Sequence, residues 1–264
     1  MSHLLSAVQH HWNKSDLSSF LLNSSWLRND VLAEATCLAS LQQVPGAANL
    51  PVAVTEAQSM CGGSFEPGAP TTASFINGFF SIANLGQFAR VGNVALVARW
   101  GIPELLNLHG AAKWDAAGVA SDLFLYTIYS RTVGHGVLSV SGDEASEALV
   151  YAHCASGRFG SNGTITVFVA NPSPQAVTLA VSKPALPRIE YILTAPGGDL
   201  ASQTPVLNGD EERPLALGPD GSLPPIDGRF CGAQSRADGL VLPPRSQGFF
   251  VLLAARAGGE CARQ

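Results

Sequence analysis

The chain has 264 residues, 46% of them hydrophobic and 13% charged, with 15 Lys and Arg against 20 Asp and Glu for a net charge of −5. That balance supports a sizeable packed core and argues against disorder, and the net negative charge without any Lys/Arg run argues against a nucleic-acid interface, which needs a basic face to neutralise phosphate. No apolar stretch approaches the roughly 20 residues that span a bilayer, and Met1–Val8 has neither the basic region nor the long apolar core of a secretory leader.

In chain order, the first half alternates strands with helices. Leu4–Val8 is a candidate strand ending in Gln9-His10-His11-Trp12. A polar stretch follows, then a helix from about Arg28 to Val44, with Val31, Leu32, Ala35, Leu38 and Ala39 on one face and Pro45-Gly46 as its stop. The apolar run Pro51–Val54 leads through Thr55-Glu56 into Ala57-Gln-Ser-Met-Cys61-Gly62-Gly63, so a single carboxylate closes a strand ahead of a glycine-rich loop. An unbroken apolar run is what a parallel strand buried on both faces requires.

Thr71 or Thr72 is positioned to cap the next helix, which carries Phe75, Ile76, Phe79, Phe80 and Ala83 on one face, with Gly86 as its stop. Val94–Ala98 is a further apolar strand ending in Arg99-Trp100, and a loop with Pro103 and Gly110 leads to a helix through Ala120–Tyr126, with Gly134 after it. This alternation is that of a parallel α/β sheet or barrel.

Beyond Gly134 the pattern changes. Val137–Val140, Ala148–Cys154, Thr164–Asn171, Ala176–Val181, Arg188–Leu193 and Phe249–Leu253 read as strands separated by Gly, Pro, Asn and Asp. They predict an antiparallel β-sandwich, with long loops and a few short strands between Ala195 and Pro244. The expected domains are therefore residues 1–135 and 136–264.

Three βα units are too few to close an eight-stranded barrel. The five cysteines, Cys37, Cys61, Cys154, Cys231 and Cys261, show no zinc spacing. Cys37, on a helix, reads as a small core residue. Sequons at Asn13, Asn23 and Asn162 bear only on a secretory compartment.

Five motifs in order resemble the heparanase-like glycosidases, glycoside hydrolase family 79. They are His10-His11-Trp12, Thr55-Glu56-Ala-Gln-Ser-Met-Cys61-Gly62-Gly63, Leu85-Gly-Gln-Phe-Ala-Arg90-Val-Gly92, Val97-Ala-Arg99 and Tyr151-Ala-His153-Cys154. The resemblance covers nearly the whole chain. It implies the C-terminal part of a (β/α)8 TIM barrel, roughly its last three strands, followed by an antiparallel β-sandwich domain.

The resemblance further implies that Glu56 is the nucleophile of a retaining reaction. Such a reaction needs two carboxyl groups about 5–5.5 Å apart and no metal or organic cofactor. It assigns substrate contact to His10, His11, Trp12, Gly62, Gly63 and Arg99, and a disulfide to Cys154 and Cys261. The implied substrate is a glucuronate-containing polysaccharide or glucuronide. The implied location is extracellular, in the cell wall, or in a secretory or lysosomal membrane-associated compartment.

The family's acid/base follows an Asn-Glu pair, and no such pair occurs here. Glu66 and Glu104 read as loop surface charges. The chain alone is thus expected to be inactive, with the missing N-terminal barrel half as partner. Trp12 stands for a family Tyr, Cys61 and Leu108 where Tyr is usual, and Trp100 for Gln. Two other readings compete: a carbohydrate-binding or structural remnant, and a thiol enzyme using Cys61 with His10 or His11.

Overall fold

The computed structural model describes residues 17–41, 43–47, 50–57, 59, 70, 72–91, 94–99, 119–141, 146–159, 163–181, 186–232, 239–253 and 261. The Leu4–Val8 strand and the loop segments around Gly62 and Gly110 lie outside them. Helix α1 spans Leu17–Leu21 and α2 spans Ser24–Leu41. Helix α2 starts ahead of the expected Arg28 because Asn23 caps it, its Oδ1 accepting the Trp26 N–H at 3.0 Å. Leu27, Val31 and Ala35 form its buried stripe, one residue per turn, while Leu32 is exposed. Cys37 is also exposed, which corrects its assignment to the core.

Strands β1 (Val52–Ala57) and β2 (Val94–Arg99) pair in parallel, flanking α3 (Asn77–Arg90) in sequence. Among the described residues, only one face of this pair is covered. Val54, Val94 and Val97 pack on the main core, whereas Ala53 and its partner Leu96 face outward, Leu96 at 53% exposure. The expected burial on both faces is thus not met among the described residues.

Thr72 does not cap α3. The turn before Asn77 is held instead by the N–H groups of Phe75 and Ile76, which donate to the carbonyls of Ser202 and Leu200. Gly86 does not stop α3 either, for the helix continues to Arg90. Gly86 is where the Tyr151 ring lies against the helix: a Cβ there would sit 2.3 Å from ring atoms.

Helix α4 (Asp122–Thr132) passes directly into β3 (Val133–Leu138), so Gly134 is a strand residue and the expected boundary at residue 135 falls within β3. The remaining strands are β4 (Leu149–Ala155), β5 (Ile165–Asn171), β6 (Val177–Leu179), β7 (Arg188–Thr194), β8 (Val206–Leu207), β9 (Arg229–Cys231), β10 (Leu240–Leu242) and β11 (Ser246–Leu252). They build a seven-stranded antiparallel sheet in the order β3-β4-β5-β11-β7-β8, with β9 also on β7, and a separate β6–β10 ribbon.

Alternation divides this sheet into two faces. Tyr151, Phe168 and Phe249 share the main core with Phe79 and Ile82 of α3 and with Phe124 and Ile128 of α4. Val167, Val169, Phe250 and Leu252 point the other way and pack under Leu240 and Leu242 of the ribbon. The main core therefore runs without interruption from α2 to β11.

Cys154 on β4 is bonded to Cys261, closing a sequence separation of 107 residues. Among the described residues, no helix is long and apolar enough to cross a membrane. No group of three His, Cys, Asp or Glu is gathered there that could hold a metal ion.

Candidate functional site

Glu56 is the penultimate residue of β1, and the register pairs the next residue, Ala57, with Arg99 at the end of β2. The carboxylate-bearing position and the arginine thus share one end of the parallel pair, the C-terminal end where α/β enzymes keep their chemistry. The Glu56 side chain lies outside the described residues. So do His10, His11, Trp12, Cys61, Gly62, Gly63, Glu66, Trp100, Glu104 and Leu108, including the Cys61–histidine pairing.

The Arg99 side chain turns inward, 7% exposed, and its Nε donates to Asp122 Oδ2 at 2.7 Å. One Nη of Arg99 donates to the Thr72 carbonyl at 3.0 Å. The same Asp122 oxygen accepts from Asn77 Nδ2 at 2.9 Å and from Ser81 Oγ at 3.4 Å. Asn77 in turn accepts from the Ser59 hydroxyl, which sits just beyond the β1 tip. One buried carboxylate oxygen thereby ties together β2, the start of α3, the start of α4 and the segment that follows Glu56.

No family model matches the chain. It is 30% identical over 186 residues to the hyaluronoglucuronidase of Hirudo nipponia, covering 67% of this chain and 36% of that protein. It is 28% identical over 222 residues to heparanase-like protein 1 of Arabidopsis thaliana, covering 72% of this chain and 39% of that protein. The chain is heparanase-like in sequence.

The heparanase-like chain spans less than two fifths of the length of both curated relatives. A solved structure of a 4-O-α-L-rhamnosyl-β-D-glucuronidase from Fusarium oxysporum 12S, in complex with Rha-GlcA, superposes with a TM-score of 0.57. At 14% identity, covering 89% of this chain and 50% of that one, this is a likeness of fold.

Electrostatically, the cluster is a buried ion pair inside a polar cage. Burial pushes the Asp122 carboxyl up from its ordinary value, while the Arg99 charge and the donors from Arg99, Asn77 and Ser81 pull it down. Its position in the first turn of α4 favours the ionised form. Tyr126, one turn along α4, has its phenol pushed well above the ordinary value by burial and by the Asp122 charge, so it is a neutral hydrogen-bonding group at any physiological pH.

Sequence reading missed Asp122, Asn77, Ser81 and Ser59. The signal was present in α3. Asn77, Ser81 and Asn84 recur at i, i+4 and i+7 within a helix whose residues from Asn77 to Phe88 are all buried. Polar side chains in that setting demand internal partners.

Proposed function

We propose that this chain is the C-terminal portion of a retaining glycosidase of the family 79 type, acting on glucuronate-containing glycans or glucuronides, with Glu56 as its nucleophile. The observation that carries the reading is Glu56 on the C-terminal end of a parallel strand pair, in a chain whose curated relatives are a hyaluronoglucuronidase and a heparanase-like protein. In this reading β1 and β2 are late strands of a (β/α)8 barrel, and the antiparallel sheet with its ribbon is the appended β-sandwich. The outward Ala53–Leu96 pair supports it, because barrel strands are covered on both faces.

A strand holds its backbone rigid, so Glu56 would meet the anomeric carbon in a fixed attack geometry. The Gly62 and Gly63 amides would donate to the uronate, with His10, His11 and Trp12 completing the sugar contacts. Arg99 enters through its pairing with Asp122, which fixes the neighbouring strand end. The acid/base would come from polypeptide outside this chain. Carboxyls and water suffice for the reaction. Secretion, or association with wall or membrane, belongs to the same proposal, and the Cys154–Cys261 bond supports an oxidising compartment.

The test is to assay an aryl β-glucuronide, hyaluronan and heparan sulfate with the chain alone and with a fusion. In the fusion, the N-terminal part of the Hirudo nipponia relative precedes it. The chain alone should give no turnover. The fusion should hydrolyse one of these substrates, and Glu56→Gln should lower its kcat by about a thousandfold or more. A Glu56→Gln fusion with an unchanged rate sinks the assignment. Glycan binding by the chain with an inert fusion would favour the second reading, a carbohydrate-binding remnant.

A further inference from the structure

We propose that Asn23 is an N-glycosylation site whose side-chain amide serves twice: Oδ1 caps helix α2 while Nδ2 carries the glycan. The inference rests on the proposed secretory location and adds to it a modified atom outside the sequence motifs of the family resemblance.

Three observations carry it. The first is the acceptor sequence. Asn23-Ser24-Ser25 has the Asn-x-Ser form, without proline at its middle position, that the transfer requires. The second is exposure. Asn23 and Ser25 both lie on the surface where α1 turns into α2, so a bulky sugar chain would meet solvent there and not core. The third is the state of the amide. The Asn23 backbone carbonyl accepts the Leu27 N–H at 3.0 Å and its Oδ1 accepts the Trp26 N–H at 3.0 Å, which makes Asn23 the N-cap of α2. Its Nδ2 donates to no group among the described residues.

An amide is planar, so an oxygen turned onto the helix leaves the nitrogen on the far side. Linkage through nitrogen uses one N–H and leaves the oxygen free to accept, so cap and glycan do not compete. The corner beneath is fixed. The Leu22 and Asn23 N–H groups donate to the Ser18 and Phe20 carbonyls, and Phe20 packs edge-on against Trp26 with ring centroids 5.6 Å apart. Asn13 and Asn162, which head the other sequons, lie outside the described residues.

In the transfer, Nδ2 bonds to the first sugar carbon of a lipid-linked oligosaccharide diphosphate. The bond from that carbon to the diphosphate oxygen breaks, the diphosphate keeps the electron pair, and Nδ2 gives up one proton.

The experiment places a cleavable secretory leader before the full chain in a eukaryotic cell. Peptides are mapped after enzymatic release of glycans in heavy-oxygen water, which labels each formerly modified Asn. Cellular and secreted material are both mapped, so a chain that stays in the cell is scored as well. Asn23 should be occupied, and Ser25→Ala and Asn23→Asp should each lose that glycan. The urea midpoint of the glycosylated chain should match that of Ser25→Ala, which keeps the cap without the sugar, and Asn23→Ala should fall below both.

An unmodified Asn23 overturns the site. A glycosylated chain whose midpoint drops to that of Asn23→Ala overturns the shared use of the amide, because the sugar would then have displaced the cap. The added leader supplies the compartment and the mapping needs no turnover, so either failure is separate from a failure of the nucleophile reading, which the Glu56→Gln fusion assay detects.

Discussion

At Gly86 two residue-level effects oppose each other, and their magnitudes decide the sign. Replacing a mid-helix glycine by alanine ordinarily gains roughly 1 kcal/mol. Here the added Cβ would lie 2.3 Å from the Tyr151 ring, which is itself 2% exposed and stacked on Phe168. Overpacking of this kind costs about 1–3 kcal/mol. Gly86→Ala should therefore lower the urea midpoint, and Tyr151→Ala in the same chain should remove most of that added cost.

His153 carries a pH dependence. Burial holds its pKa below the ordinary 6.5, with the Arg90 and His135 charges acting the same way, and the hydrogen bond between Nδ1 and the Gly134 carbonyl opposes them. The unfolded chain then binds the extra proton first. The stability gained from a neutral His153 is complete above the unfolded value and is lost as pH falls through the folded one. Urea stability should drop between pH 7.5 and 5.5, and His153→Phe should flatten that part of the profile.

Among elements, the long strands of the sheet are readable because both their faces are filled. Apolar residues then run nearly unbroken through β4, β5, β7 and β11. The exception is at β7, where Arg188 and Glu190 are buried at 1% side-chain exposure, with Arg229 of β9 reaching the same carboxylate from its half-exposed position. Glu190→Ala should cost about 3–5 kcal/mol because it strands Arg188 in the interior. Arg229→Ala should cost far less, since Glu190 keeps its buried partner, and chemical denaturation separates the two.

What sequence could not show was dependence on distant partners. The start of α3 is set by carbonyls of Leu200 and Ser202, more than a hundred residues away in the chain. Gly86 resembles a helix stop until Tyr151 is laid beside it. The same holds at the candidate site. Glu56 stands out in sequence because its strand and its glycine loop are contiguous, whereas the Asp122 cage is assembled from four separated segments and has only the polar stripe of α3 to betray it.

For the whole molecule, the helices and the large sheet are not independent bodies. Helix α3 packs against α2 and also against β4, β5 and β11, and the main core includes residues on both sides of residue 135. A fragment of residues 1–135 should therefore show no cooperative unfolding transition by circular dichroism, while the whole chain shows one. The Cys154–Cys261 bond acts at the same scale, tying the C-terminal segment to β4 across 107 residues. Loop-closure entropy for a span of that size is worth about 4–5 kcal/mol. Reduction, or paired Cys154→Ala and Cys261→Ala changes, should lower the denaturation midpoint by a corresponding amount.

The junction of α4 and β3 has a mechanical consequence. Thr132 ends the helix and Val133 begins the strand, and the Thr132 carbonyl takes hydrogen bonds from the Ser156 N–H and the Thr166 hydroxyl. With no loop between them there is no slack. The helix is clamped to the sheet at its far end and carries Asp122 at its near end, so it works as a lever whose pivot lies in the β domain. A tilt of the sheet by a few degrees would travel along the 11 residues of that helix as a displacement of the Arg99–Asp122 pair.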